Sequence, residues 1–136
     1  MSRTRFARLT VIVLSLVIPA CKDDNPVGEG GSPSNIVFPP ANVSYQTHVQ
    51  PLFNQACALS GCHDGSAPQG RVKLTEYGEV VIVKPGIVVP GDPDASELVR
   101  RIEGRGVLRM PLNGNPLNQN QITGIRTWVA EGAKNN

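Results

Sequence analysis

The residues of this chain best suited to chemistry crowd into one short run, Cys57-Ala-Leu-Ser-Gly-Cys62-His63. Two thiols and an imidazole this close together admit three chemistries: covalent attachment and ligation of a haem, coordination of a metal ion, or a disulfide. In haem attachment two cysteine sulfurs add across the porphyrin vinyl groups and the following histidine takes the iron; the usual spacing is Cys-x-x-Cys-His. Here four residues, Ala58 to Gly61, separate the cysteines, and Ser60-Gly61 supply the backbone freedom to bulge the surplus outward. Zinc held by Cys57, Cys62 and His63 lacks an evident fourth ligand, and adjacent Cys and His residues do not easily face one tetrahedral ion. A disulfide over so short a loop would remove little entropy from the unfolded chain. A second axial iron ligand would have to come from elsewhere, and the candidates are few: Met110, the only methionine besides Met1, and His48, the only other histidine.

Compartment decides which of these chemistries is open. Arg3, Arg5 and Arg8 precede an apolar run of ten residues, Leu9 to Ile18, which meets Pro19, Ala20 and Cys21. A basic segment, a short apolar segment and a small residue before a break make a secretory signal. The run is too short to span a bilayer, which takes roughly 20 residues. Ile18-Pro19-Ala20-Cys21 is similar to the lipobox of bacterial lipoproteins, in which the cysteine is lipidated and becomes the N-terminus; this predicts residues 1–20 as signal peptide, Cys21 as the lipid attachment site, and a place in the bacterial envelope facing the periplasm or the cell surface. The full chain has 13 basic residues; without the three signal arginines 10 remain against 11 acidic ones, a net of −1. That balance gives no reason to expect a nucleic-acid partner.

Residues 21–41 are rich in Gly, Pro, Ser, Asn and Asp and read as a flexible tether, with Ile36 to Phe38 docking at the domain edge. A coil of that length spans roughly 25 Å. The folded domain is expected over 42–136. Tyr45, Val49, Leu52, Phe53 and Ala56 form one helical face running into Cys57, with Ser44 as N-cap and Pro51 forcing a kink or a restart after Gln50. His48 lies on the opposite face and reads as solvated. From Arg71 to Val89 the pattern is ambiguous between strand, short helix and coil. Asp92 as cap and Pro93 as first helical residue predict a helix whose face is Ala95, Leu98, Val99 and Ile102. The last helix is predicted from Asn118, with Gln121 completing a capping box and Ile122, Ile125, Trp128 and Val129 as its apolar face.

Four blocks in this order, "VQPLFNQACALSGCH", "VVPGDPDASELVRRI", "RMP" and "QITGIRTWVAEGA", resemble the small monohaem cytochrome c-like domains of planctomycete cytochromes and related bacterial lipoproteins. The resemblance covers about Tyr45 to Ala133. It implies a mostly α, cytochrome c-like fold with crossed N- and C-terminal helices around one covalent haem c, Trp128 lying near the crossing. It places Cys57 and Cys62 at the thioether positions, His63 as proximal and Met110 as distal iron ligand. The longer cysteine spacing is a minority variant in c-type cytochromes. The function so implied is single-electron transfer by a membrane-anchored carrier, without catalysis, exchanging electrons with redox partner proteins of the envelope. Arg71, Lys73, Arg101 and Arg109 are candidates to pair with the haem propionates. The reading from a different class is a haem-free envelope lipoprotein, a binding or structural module with a Cys57–Cys62 disulfide.

Overall fold

The computed structural model describes residues 35–66 and 68–136, so the signal segment, Cys21 and most of the tether lie outside the described residues. Those described form a helical fold without strands, with α1 over Gln50–Ala56, α2 over Tyr77–Val81, α3 over Glu97–Glu103 and α4 over Gln119–Ala130. None of these helices is long and apolar enough to cross a membrane.

Ser44 caps the first helical segment, its hydroxyl accepting from the Thr47 N–H at 3.2 Å. Pro51 has no N–H for the preceding turn, and its ring crowds the carbonyl four residues back. The chain answers with a wider π-helical turn, Tyr45–Val49, in which the Val49 N–H reaches the Ser44 carbonyl at 3.3 Å and the Gln50 N–H reaches that of Tyr45. Beyond it α1 restarts with Pro51 in its first turn, where a missing N–H costs nothing. Val49, Leu52, Phe53 and Ala56 are buried by this arrangement.

The ambiguous stretch becomes turns and the short α2, with Val80 buried and Ile82 and Val83 exposed. Its second apolar run, Ile87 to Val89, pairs with a helix end: the Glu97 and Leu98 N–H groups donate to the carbonyls of Gly86 and Ile87 at 3.0 and 2.9 Å. That contact also corrects the expected start of α3. Asp92 accepts from the Asp94 and Ala95 N–H groups in a local turn, and the helix begins only at Glu97, with Ser96 at the N-cap position. Ser96 is wholly buried, and its hydroxyl accepts from the Val89 N–H and donates to the Asp92 carbonyl, both at 2.8 Å, so it holds the preceding loop instead of the helix.

α3 packs against α4, which carries the expected Asn118–Gln121 capping box. Trp128 is buried, donates from Nε1 to the Lys134 carbonyl at 3.0 Å, and lies 5.4 Å from the ring of Tyr45, joining the first helical segment to the last. A network of Arg126 and Arg105 with Asp94 and Glu103 ties α4 to the last residue of α3 and to the turn that precedes the helix. The Arg126 guanidinium bonded to Asp94 holds that carboxyl below its usual range.

Phe38 seats in the core, with Ile36 packed partly buried against it and Val37 exposed. Its N–H and C=O both bond the Asn120 side chain, at 2.8 and 3.0 Å, and its ring lies against the backbone of Gly124. His48 is half-buried and not free in solvent as expected, because Phe38 covers it: the ring centroids are 5.7 Å apart, and Nδ1 accepts from the Ser44 N–H. A methyl group at Gly124 would overlap Cβ, Cγ and Cδ1 of Phe38. Gly124→Ala is therefore expected to destabilise the domain by about 1–2 kcal/mol, overpacking outweighing the better helix propensity of alanine. In a Phe38→Gly background, which removes Cβ along with the ring, the same change should be neutral or stabilising. Denaturant unfolding of the four proteins checks the change of sign.

Candidate cofactor site

α1 ends at Ala56, and the carbonyl of Phe53 accepts from the N–H groups of both Cys57 and Ala58. The four residues between the cysteines fold into a turn closed by the Cys62 N–H to the Leu59 carbonyl at 2.9 Å, with Gly61 at φ +76°, a conformation that favours glycine. The His63 N–H then returns to the Cys57 carbonyl at 3.1 Å. The surplus residues are thus taken up outside, and Cys57 and His63 are brought back together.

His63 is oriented by the strand-like segment after the loop. Its backbone carbonyl accepts from the Leu74 N–H at 3.0 Å, and its Nδ1 lies 3.0 Å from the Val72 carbonyl. A carbonyl can only accept, so Nδ1 carries a proton, which in the neutral ring puts the lone pair on Nε2. That is the arrangement of a ligating histidine whose second nitrogen fixes tautomer and ring direction.

Cys57, Cys62 and His63 line one cavity of about 600 Å³, within the usual range of cofactor sites. Its apolar wall comes from Leu74, Ile87, Leu98, Ile102 and Leu117. Met110 lines the same cavity although it is distant in sequence, and the end of α3 brings it there. Gly104 stops α3 in the left-handed conformation, φ +69°, and the chain folds back so tightly that a Cβ on Gly104 would lie 3.3 Å from Cβ of Arg109. The Arg101 carbonyl, at the end of α3, takes the Gly104 N–H at 3.3 Å and the Met110 N–H at 2.9 Å. His48 is not among the lining residues.

Of the basic candidates for the rim, Arg101 alone lines the cavity, paired with Glu97; Lys73 is paired with Glu79 at 3.4 Å, and Arg71 and Arg109 are exposed. Lys84 also lines it, donating to the Gly70 carbonyl at 2.7 Å, and sequence reasoning missed it. Its only signal was its place in a Lys-Pro-Gly turn. Among the described residues no group of three or more His, Cys, Asp and Glu side chains converges as a metal cage, so the two thiols and the imidazole face the cavity without enclosing a common point.

Residues 60–113 match the family model described as Planctomycete cytochrome C. This segment is similar to that cytochrome family. It includes Cys62, His63 and Met110 and begins after Cys57, so the first cysteine of the long-spaced pair stands outside the match. No curated protein and no solved structure matches the chain.

Both cysteines are free thiols, in unlike surroundings. Cys62 is exposed, whereas burial, and to a smaller degree the neighbouring Cys62, pushes the Cys57 thiol up to about 12. At pH 8 a thiol with that pKa is thiolate in only about one molecule in ten thousand. In chain produced without haem attachment, iodoacetamide at pH 8 should modify Cys62 first and Cys57 on the order of 100-fold more slowly. Peptide mapping after timed quenching reads both rates, and equal rates would show that the half-buried Cys57 is not shielded from solvent.

Proposed function

We propose that the protein is a c-type cytochrome, a single-electron carrier with one haem bound covalently through Cys57 and Cys62 and ligated by His63 and Met110. The observation that carries this reading is the placement of all four side chains on the wall of one apolar cavity, within a chain whose segment 60–113 is similar to that cytochrome family. The donor set fits the group: two thiols on one edge, an imidazole with its free lone pair on Nε2, and a thioether on the loop that follows α3. Bound there, the haem iron supplies reversible one-electron exchange, with a thioether ligand raising its potential.

The chain's own residues do the remaining work. The Val72 carbonyl holds the His63 ring in one orientation, the end of α3 holds Met110, and the wall from Leu74 to Leu117 excludes water. Cys62, Leu112 and Asn113 are exposed lining residues, which puts one side of the cavity at the molecular surface, where a redox partner protein would exchange electrons. Two protein ligands leave no open position for a substrate, which is the physical reason for reading a carrier and not an enzyme. The signal segment and Cys21 add a lipid anchor in the bacterial envelope, with residues from 22 onward as tether.

Intact mass and a visible spectrum of the full chain, expressed with haem-attachment machinery, test the reading directly. A covalent gain of one haem with the spectrum of a low-spin c-type haem is expected. A chain lighter by two hydrogens and carrying no haem would overturn it. In the loaded protein Met110→Ala should lower the reduction potential on the order of 0.1–0.3 V, part of the roughly 0.8 V range that axial ligation spans; His48→Ala should leave it unchanged.

A further inference from the structure

Met110 reaches the cavity on a loop with little packing of its own. Leu108 and Arg109 on one side of it and Leu112 to Pro116 on the other are exposed. One residue of α3 binds this loop twice. The backbone carbonyl of Arg101 takes the Met110 N–H at 2.9 Å, and the guanidinium of the same residue donates from Nη1 to the Leu108 carbonyl at 3.4 Å. The guanidinium is itself fixed, because Nε and Nη2 both donate to Glu97 Oε1, at 3.0 and 2.8 Å, one helical turn earlier. Arg101 and Glu97 line the cavity beside Met110.

We propose that the Glu97-clamped guanidinium of Arg101 is a positioning residue for Met110, keeping the thioether loop closed over the cavity. This rests on the reading of Met110 as an axial ligand. An i, i+4 ion pair on a half-exposed helix adds little to global stability, typically below 1 kcal/mol. Its effect here is local: three of the five guanidinium N–H groups are committed, two to the clamp and one to the loop, so the side chain has one conformation to offer. Loss of the fork leaves the backbone bond and the packing of Arg109 against Gly104 in place.

The test uses the full-length haem-loaded protein with two readouts: imidazole affinity of the ferric form, which reports how often Met110 leaves, and amide hydrogen exchange of residues 105–113. Imidazole is neutral, so the lost charge of Arg101 does not by itself move its affinity. Arg101→Met should raise both the affinity and the exchange rate about fivefold, as expected for losing one long, exposed hydrogen bond, with exchange in α4 unchanged and Arg101→Lys intermediate. Values within twofold of wild type, or faster exchange throughout α4 as well, would overturn the proposal. If Arg101→Met fails to fold, Glu97→Gln decides: a rise of about threefold in both readouts, the weakened clamp leaving the donor in place, supports it, and unchanged values overturn it. A wild-type protein without Met ligation in its spectrum would instead overturn the ligand reading, while exchange over 105–113 would still report on the brace.

Discussion

Short helices end often, and each end leaves backbone groups that must find partners. In this domain α1, α2 and α3 span seven, five and seven residues, lengths that would not persist alone in water. Their free ends organise the molecule. The Gly86 and Ile87 carbonyls take the first N–H groups of α3, Met110 takes its last-turn carbonyl, Cys57 and Ala58 take that of α1, and the Gly91 N–H takes the Val129 carbonyl of α4 at 2.8 Å. The loops that answer these demands carry Cys57 and Met110. The site is thus a by-product of helix termination as much as of side-chain choice.

Local physics made much of this legible in the sequence. The apolar stripe into Cys57, the Ser44 and Asn118 caps, the conflict at Pro51 and the burial of Trp128 each follow from residues within a turn or two of one another. The capping box is a short-range exchange, so its sequence signature and its geometry coincide. Where the signal failed, a distant partner had won. Asp92 has the chemistry of a helix cap, yet the carbonyls of Gly86 and Ile87 occupy the N-terminus of α3 and shift its start to Glu97. Ile87 to Val89 has the composition of a strand, but its backbone bonds go to a helix end. Phe38 and Gly124 lie at opposite ends of the folded segment, and nothing in either neighbourhood announces that one fills the notch left by the other. Lys84 stands at the cavity rim for the same reason, since its place depends on the fold of Gly70.

A cavity of about 600 Å³ in so small a domain also constrains the core. Leu74, Leu98, Ile102 and Leu117 are at most 8 % exposed, yet each turns part of its surface to the cavity. Side chains facing a gap forgo dispersion contacts on that side, and an apolar occupant restores them. Whatever fills the cavity therefore contributes to folding by mass action as well as to function, and a covalent occupant does so at any concentration. A chain this poor in large aromatics, with three Phe, two Tyr and one Trp, has reason to complete its core with a prosthetic group.

The two halves of the site are held in different ways, and the difference has consequences for the proposed carrier. Every bond that orients His63 falls within residues 57–74: its own N–H to Cys57, its carbonyl to Leu74, its Nδ1 to Val72. Met110 depends on a separate element, the last turn of α3, and on an exposed loop. Local opening costs least where few buried contacts are lost, so the thioether side is the one that opens first. The thiols and the imidazole would then keep the haem in place while the Met110 loop moves, and the potential would track the closed fraction of that loop. Closure over the cavity is set from α3, through Arg101 and Glu97, and α3 is fixed to α4 by Arg126 and to the Ile87 segment by its N-terminus. On the proposed reading, the ligand that would tune the electron chemistry is in this way coupled to the packing of α3 on α4, while the ligand that would anchor the haem is held by bonds within residues 57–74.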